Sequence, residues 1–164
     1  MSPAIASLQF PFELKRDQVE AAEAWMQNGC RGSVIFSTGT GKTEIAWECA
    51  RRAAIQSGKK RYAVLFIVPR IVLISQNVRR LLSYGIDEGS IGTYYGERKD
   101  SREITISTYQ SIINNFDLVR QADMVVLDEV HLVSETAVEF DRIFDVIVED
   151  PGKAILGLTA TIDE

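Results

Sequence analysis

Cysteine and histidine are nearly absent from this chain of 164 residues: Cys30, Cys49 and His131 are the full complement. Two thiols without Cys-x-x-Cys spacing do not make a disulfide framework, and one histidine cannot complete a Cys/His zinc cluster. Both cysteines read as reduced packing residues. No apolar run is long enough to span a bilayer, and the opening MSPAIASLQFPFELKRD lacks a basic stretch ahead of an apolar signal core. The expectation is an intracellular protein of the cytoplasm or nucleus. A basic excess is missing too: net charge is -5, so nucleic acid would have to find a local patch rather than a cationic domain. Lys59-Lys60-Arg61, Arg79-Arg80 and Arg98-Lys99 are the candidates, although each alone reads more readily as solvated surface. Repeats, linkers and low-complexity stretches are lacking as well.

What is present suits one globular domain, with 46% hydrophobic and 25% charged residues. Short runs rich in Val, Ile, Leu and Phe recur at Ser33 to Phe36, Ala63 to Val68, Ile104 to Ser107, Met124 to Leu127 and Ile155 to Leu158. They are continuously apolar rather than alternating, as strands of a parallel sheet covered on both faces must be. Helical patterns separate them: Asp17 to Asn28, Lys42 to Gln56, Ile71 to Tyr84 and Ser134 to Val148. Trp25 and Trp47 fall on the apolar stripes and are expected in the core. This alternation predicts an α/β domain, a mostly parallel central sheet with helices on both faces.

The first strand runs into Phe36-Ser37-Thr38-Gly39-Thr40-Gly41-Lys42-Thr43, which nearly matches the phosphate-loop pattern G-x-x-x-x-G-K-[ST]. Glycines let the backbone turn tightly and bring its N–H groups to phosphate at the positive end of a helix. Thr38, Gly39, Thr40, Gly41, Lys42 and Thr43 are therefore candidate ATP-binding residues, Lys42 for the β and γ phosphates and Thr43 for Mg²⁺. Phe36 replaces the first glycine at the strand's last residue, where a positive φ is not needed and an apolar side chain can face the core. A second apolar strand delivers Asp128 and Glu129. Asp128 would hold Mg²⁺ and Glu129 would orient and deprotonate an attacking water.

Asp128-Glu129-Val130-His131 resembles the DEVH box of superfamily-two helicases, and Leu158-Thr159-Ala160-Thr161 resembles their third motif. Phe12 to Gln18 is similar to the adenine-sensing segment, Ile67-Val68-Pro69-Arg70 to the strand end that meets nucleic acid, and ITISTYQS at Ile104 to Ser111 to a later nucleic-acid segment of the XPB-like branch, to which type I and III restriction translocases are related. The resemblance spans Phe12 to Thr161 in the family's order. It implies a RecA-like fold, Gln18 as the adenine-sensing residue, and contact of Pro69, Arg70, Thr108 and Tyr109 with nucleic-acid phosphates, at Pro69 and Tyr109 through backbone. For the Tyr109 side chain, a core position is an equal alternative. His131, Thr159 and Thr161 would couple the γ phosphate to domain movement. Asp17 stands where XPB-like relatives usually carry an aromatic.

The family resemblance further implies ATP and Mg²⁺ as cofactors. The track would be DNA, single-stranded or forked, with RNA as an alternative. ATP would lie between this first motor domain and a second RecA-like domain carrying arginines, which this chain, ending just beyond LTAT, does not include. The competing readings are another P-loop enzyme and an ATP-switched nucleic-acid adaptor that does not unwind.

Overall fold

The structure, a computed structural model, describes residues 2–36, 41–129 and 137–160, apart from the side chains at 36, 137–141 and 160. Strands β1 (Arg31–Phe36), β2 (Val64–Val68), β3 (Ile91–Tyr95), β4 (Arg98–Lys99), β5 (Ile104–Thr108), β6 (Met124–Leu127) and β7 (Ala154–Ala160) form one sheet. Its order is β1-β7-β6-β2-β5-β3-β4, parallel except for the β3–β4 hairpin. Helix α1 (Arg16–Gln27) precedes β1, and α2 (Lys42–Ser57), α3 (Ile71–Ser83), α4 (Tyr109–Ile112), α5 (Asp117–Gln121) and α6 (Ala137–Val148) lie between strands in sequence.

The apolar runs are continuous because both faces of the sheet are covered. Every residue of β2 is buried. Val64, Phe66 and Val68 pack with Trp47, Ile74 and Leu81 in one cluster, while Leu65 and Ile67 pack with Ile112, Val119, Ile143 and Ile147 in the other. Alternate side chains of one strand thus feed two cores. Trp47 is fully buried and stacks on Phe66 with ring centroids 4.7 Å apart. Trp25 is buried too, and its indole N–H donates to the Ile155 carbonyl at 2.8 Å. Both tryptophans are core residues, as expected.

The five expected strands and the helices form, with limits shifted by a few residues; the first turn expected of the last helix lies outside the described residues. The β3–β4 hairpin was not expected from the sequence. Gly92 sits inside β3 because a Cβ there would lie 2.4 Å from the Asp100 carbonyl oxygen and 2.9 Å from the Arg102 nitrogen. The residue that reads as a strand breaker is what lets the chain fold back against this strand.

Parallel strands share one carboxyl edge, so β1, β2, β5, β6 and β7 all end on the same side of the sheet. Lys42, Pro69, Thr108, Asp128 and Thr159 come from those ends or the residues just after them, the edge where open α/β sheets bind ligands.

Candidate functional site

Gly41 is the N-cap of α2, in the left-handed conformation with φ 72° and ψ 40°. Its carbonyl accepts from the Ile45 amide at 3.3 Å and from the Gln18 side-chain amide at 3.2 Å. Gln18 is itself buried, and its Oε1 accepts from the Lys15 amide at 2.8 Å, closing a capping box at the start of α1. Both ends of this amide are thus engaged within the protein, and Gln18 holds the base of the phosphate-loop helix. Thr43 is buried in the first turn of α2. Thr38, Gly39, Thr40, His131 and Thr161 lie outside the described residues.

Asp128 and Glu129 follow β6 and meet Lys42. The Lys42 ammonium donates to Glu129 Oε1 at 2.9 Å and lies 3.3 Å from Asp128 Oδ1. Asp128 is buried, and its amide donates to the Ile67 carbonyl at 2.9 Å, continuing the β6–β2 register by one residue. Burial pushes its carboxyl up from the usual range; the charge of Lys42 opposes this and that of Glu129 adds to it. Its buried Oδ1 has the Lys42 ammonium at 3.3 Å as its ion-pair partner and makes no well-aligned hydrogen bond beyond it. A hard cation is a fitting partner for such an oxygen, and the Thr43 hydroxyl on the facing helix turn is of the matching chemistry. Glu129 has φ 52°, one of two non-glycine residues with positive φ among those described.

The second set of predicted residues lies along the same edge. Arg70 is exposed at the N-cap of α3, and Pro69 precedes it half-buried. Thr108 caps α4, its Oγ1 accepting from the Ser111 amide at 3.3 Å and donating to Ser111 Oγ at 2.9 Å. Tyr109 is only 3% exposed, and its hydroxyl donates to the Asp128 carbonyl at 2.8 Å. The core position is therefore correct for its side chain, and only its backbone is available to a phosphate. Thr159 is half-buried in β7, paired in register with Ile35.

The structure thus brings Gln18, Gly41, Lys42, Asp128 and Glu129 together and sets Arg70 and Thr108 along the adjoining edge. Lys59-Lys60-Arg61 belongs to the other edge, ahead of β2, where Lys59 pairs with Asp123 at 2.6 Å. Arg98-Lys99 is used in β4, with the Lys99 ammonium 4.7 Å from the centre of the Tyr94 ring. Sequence reasoning missed the Tyr109 bond to Asp128 and the double engagement of Gln18. The first has no local signal, whereas Gln18 three residues after Lys15 is a spacing that fits a capping box. Among the described residues no helix is long and apolar enough to cross a membrane, and no group of three or more His, Cys, Asp or Glu could hold a metal ion.

Known proteins are similar to this chain in sequence and fold. The family described as type III restriction enzyme, res subunit, matches residues 11–164. The DNA 3'-5' translocase XPB2 of Sulfurisphaera tokodaii is 34% identical over 165 residues, covering 96% of this chain and 34% of its own length. The DNA 3'-5' helicase XPB of Mycobacterium tuberculosis is 31% identical over 161 residues, covering 92% of this chain and 27% of its own. The chain therefore spans about a third or less of these relatives. The crystal structure of the UvsW helicase from bacteriophage T4 superposes with a TM-score of 0.74 at 18% identity, over 93% of this chain and 55% of that one. The type ISP restriction-modification enzyme LlaGI, as a nuclease-deletion mutant in complex with a DNA substrate mimic, superposes with a TM-score of 0.62 at 19% identity, over 92% of this chain and 17% of that one. The last two establish the α/β RecA-like fold, and with the match along nearly its whole length the chain belongs to the type III restriction enzyme res-subunit family of superfamily-two helicases.

Proposed function

We propose that this chain is the ATP-binding first motor domain of a DNA helicase or translocase, with ATP held between it and a second RecA-like domain. The observation that carries the reading is the Lys42 ammonium bridging Glu129 at 2.9 Å and Asp128 at 3.3 Å, at the N-terminus of a helix entered through a left-handed glycine. A cation and two carboxylates converge where α2 offers unpaired N–H groups to an anion. Loop residues Thr38 to Gly41 would wrap the phosphates with backbone N–H groups, and Lys42 would leave the carboxylates for the β and γ phosphates. Thr43 and Asp128 would hold Mg²⁺, which when bound offsets charge on the phosphate oxygens. Glu129, released from Lys42, would orient the attacking water and accept its proton.

Gln18 would sense adenine through an amide already tied to Gly41, so base recognition and the set of the loop would be linked. Pro69 and Arg70, with Thr108 and the Tyr109 backbone, would track one strand's phosphates without reading sequence. His131, Thr159 and Thr161 would pass the state of the γ phosphate to the second domain. That domain would supply arginines for the charge developing in the transition state, and without them turnover falls by about a thousandfold or more. A DNA track is preferred because the relatives named above are DNA translocases and helicases, and such a protein would work inside the cell.

The test pairs Glu129→Gln with wild type in ATP binding and in hydrolysis, the latter in a chain carrying the second domain, with single-stranded DNA, duplex DNA and RNA side by side. The substitution should keep ATP binding and abolish DNA-stimulated hydrolysis. Unchanged hydrolysis would reject the catalytic role of Glu129 and favour an ATP-switched adaptor. Stimulation by RNA alone would move the track from DNA to RNA.

A further inference from the structure

We infer that Tyr109 is a positioning residue that carries nucleic-acid occupancy of the Thr108 turn to the Glu129 carboxylate, an inference that rests on the function proposed above. Tyr109 begins α4 directly after Thr108, at the carboxyl end of β5. Its hydroxyl ends on the Asp128 carbonyl, just past the carboxyl end of β6. In the sheet β2 stands between β5 and β6. The phenol therefore reaches across two strand spacings, about 10 Å, beneath the edge that carries the site. Because the ring is buried and the bond is 2.8 Å long, this reach is a fixed strut rather than a surface contact.

What the strut grips matters more than its length. The Asp128 carbonyl belongs to the same planar peptide unit as the Glu129 amide. The preceding peptide is held through the Asp128 amide, which donates to the Ile67 carbonyl at 2.9 Å, and this one through its carbonyl, which accepts from Tyr109 at 2.8 Å, so each of the two peptide planes that meet at the Asp128 Cα is tied to a neighbouring element. The next torsion is the φ of Glu129, which stands at 52°, a value disfavoured for any residue with a Cβ. In this conformation the Glu129 carboxylate is bonded through Oε1 to Lys42 at 2.9 Å, which engages the lysine that would otherwise meet phosphate. A shift of the Thr108 turn would pull the phenol, turn the peptide and let Glu129 leave the left-handed region. Lys42 is then freed for nucleotide, so nucleic acid and nucleotide favour each other's binding. By linkage the effect is reciprocal.

The test measures that coupling as a ratio. Affinity for a fluorescent, non-hydrolysable ATP analogue with Mg²⁺ is measured with and without a saturating oligo-dT strand, in wild type and in Tyr109→Phe, which removes only the hydroxyl. Wild type should bind the analogue at least about fivefold more tightly with the strand, the lower end of ordinary coupling. In Tyr109→Phe the ratio should fall to about one. A ratio taken within one variant is unaffected by a loss of either affinity alone, so a merely structural role would not move it. An equal ratio in both proteins overturns the relay, as does no coupling in wild type that binds both ligands. Failure of wild type to bind the analogue at all would instead remove the proposed function beneath it. A second readout does not depend on the variant. With ¹⁵N-glutamate labelling, the Glu129 amide resonance of wild type should shift as oligo-dT is added. A resonance that stays in place while the strand binds overturns the inference.

Discussion

Replacing Gly41 by alanine should expose how tightly the phosphate-loop helix is fitted to α1. Two effects add. Gly41 has φ 72°, and a residue with a Cβ in the left-handed region costs about 1–2 kcal/mol. The new Cβ would also lie 2.3 Å from Gln18 Nε2 and 3.3 Å from Glu44 Oε2, so the Gln18 amide must swing away. That gives up its bond to the Gly41 carbonyl and loosens its bond from the Lys15 amide, each worth about 0.5–1.5 kcal/mol net. The expected loss is about 2–4 kcal/mol, which for a domain of this size lowers Tm by roughly 5–15 °C. Thermal and urea unfolding of Gly41→Ala, Gln18→Ala and the double variant give the cycle. With Gln18 already removed there is no amide to displace, so Gly41→Ala should then cost only the backbone part, and the cycle should be non-additive by about 1–2 kcal/mol. Additivity within about 0.5 kcal/mol would refute the contact, and a Gly41→Ala protein as stable as wild type would refute the backbone argument too.

Gly92→Ala should destabilise at least as strongly, because the atoms it meets at 2.4 and 2.9 Å are backbone rather than a flexible side chain. A folded variant with wild-type Tm would contradict the close approach of residues 100–102 to β3. Glu48 is 4% exposed and bonds Arg51 and Arg52 at 2.8 Å; burial pushes its carboxyl up, but the two guanidinium bonds outweigh this and hold it below its ordinary 4.5. A lowered carboxylate stabilises the fold above pH 4.5, and the contribution is lost as pH falls through the folded value. Glu48→Gln should therefore cost about 1.5–3 kcal/mol at neutral pH and progressively less as pH falls below 4.5 through the folded value, read by urea unfolding, and a cost independent of pH would reject the ion pairs as its source. Burial pushes the Cys49 thiol up to about 12 and raises that of Cys30 as well. A thiol-disulfide reagent near pH 8 should label the partly exposed Cys30 slowly and Cys49 only after unfolding. Rapid labelling of both in the native protein would show that Cys49 is not shielded.

The elements that could be read from sequence are those whose environment is uniform along their length. β2, β5 and β6 are buried at every position, so composition alone marks them. β3 is buried unevenly and carries Gly92 for the sake of a loop returning from residues 100–102, a reason absent from its own five residues. β4 is two exposed residues held by the hairpin. The candidate site divides in the same way. Lys42, Asp128 and Glu129 stand out because phosphate and metal chemistry demands those residue types next to glycine and at strand ends. The support beneath them does not. That Tyr109 reaches Asp128, or that Gln18 holds Gly41, depends on which strands become neighbours, and tyrosine and glutamine have no unique use that would betray it.

The strand that feeds the phosphate loop lies at the border of the described sheet, and its strand neighbour there is β7 alone, with Arg31 opposite Ile155 and Phe36 opposite Ala160. Most of the chain must leave the ribosome between the two, an interval of several seconds at ordinary rates of synthesis. Throughout it β1 has neither of its edges paired within this sheet, and Ile35, 66% exposed even in the finished domain, is uncovered. On the proposed function a nascent chain would be unable to grip nucleotide prematurely, and this is also when its open strand edge is most exposed to mispairing. Completion of the fold and acquisition of the proposed phosphate site would then be a single late event.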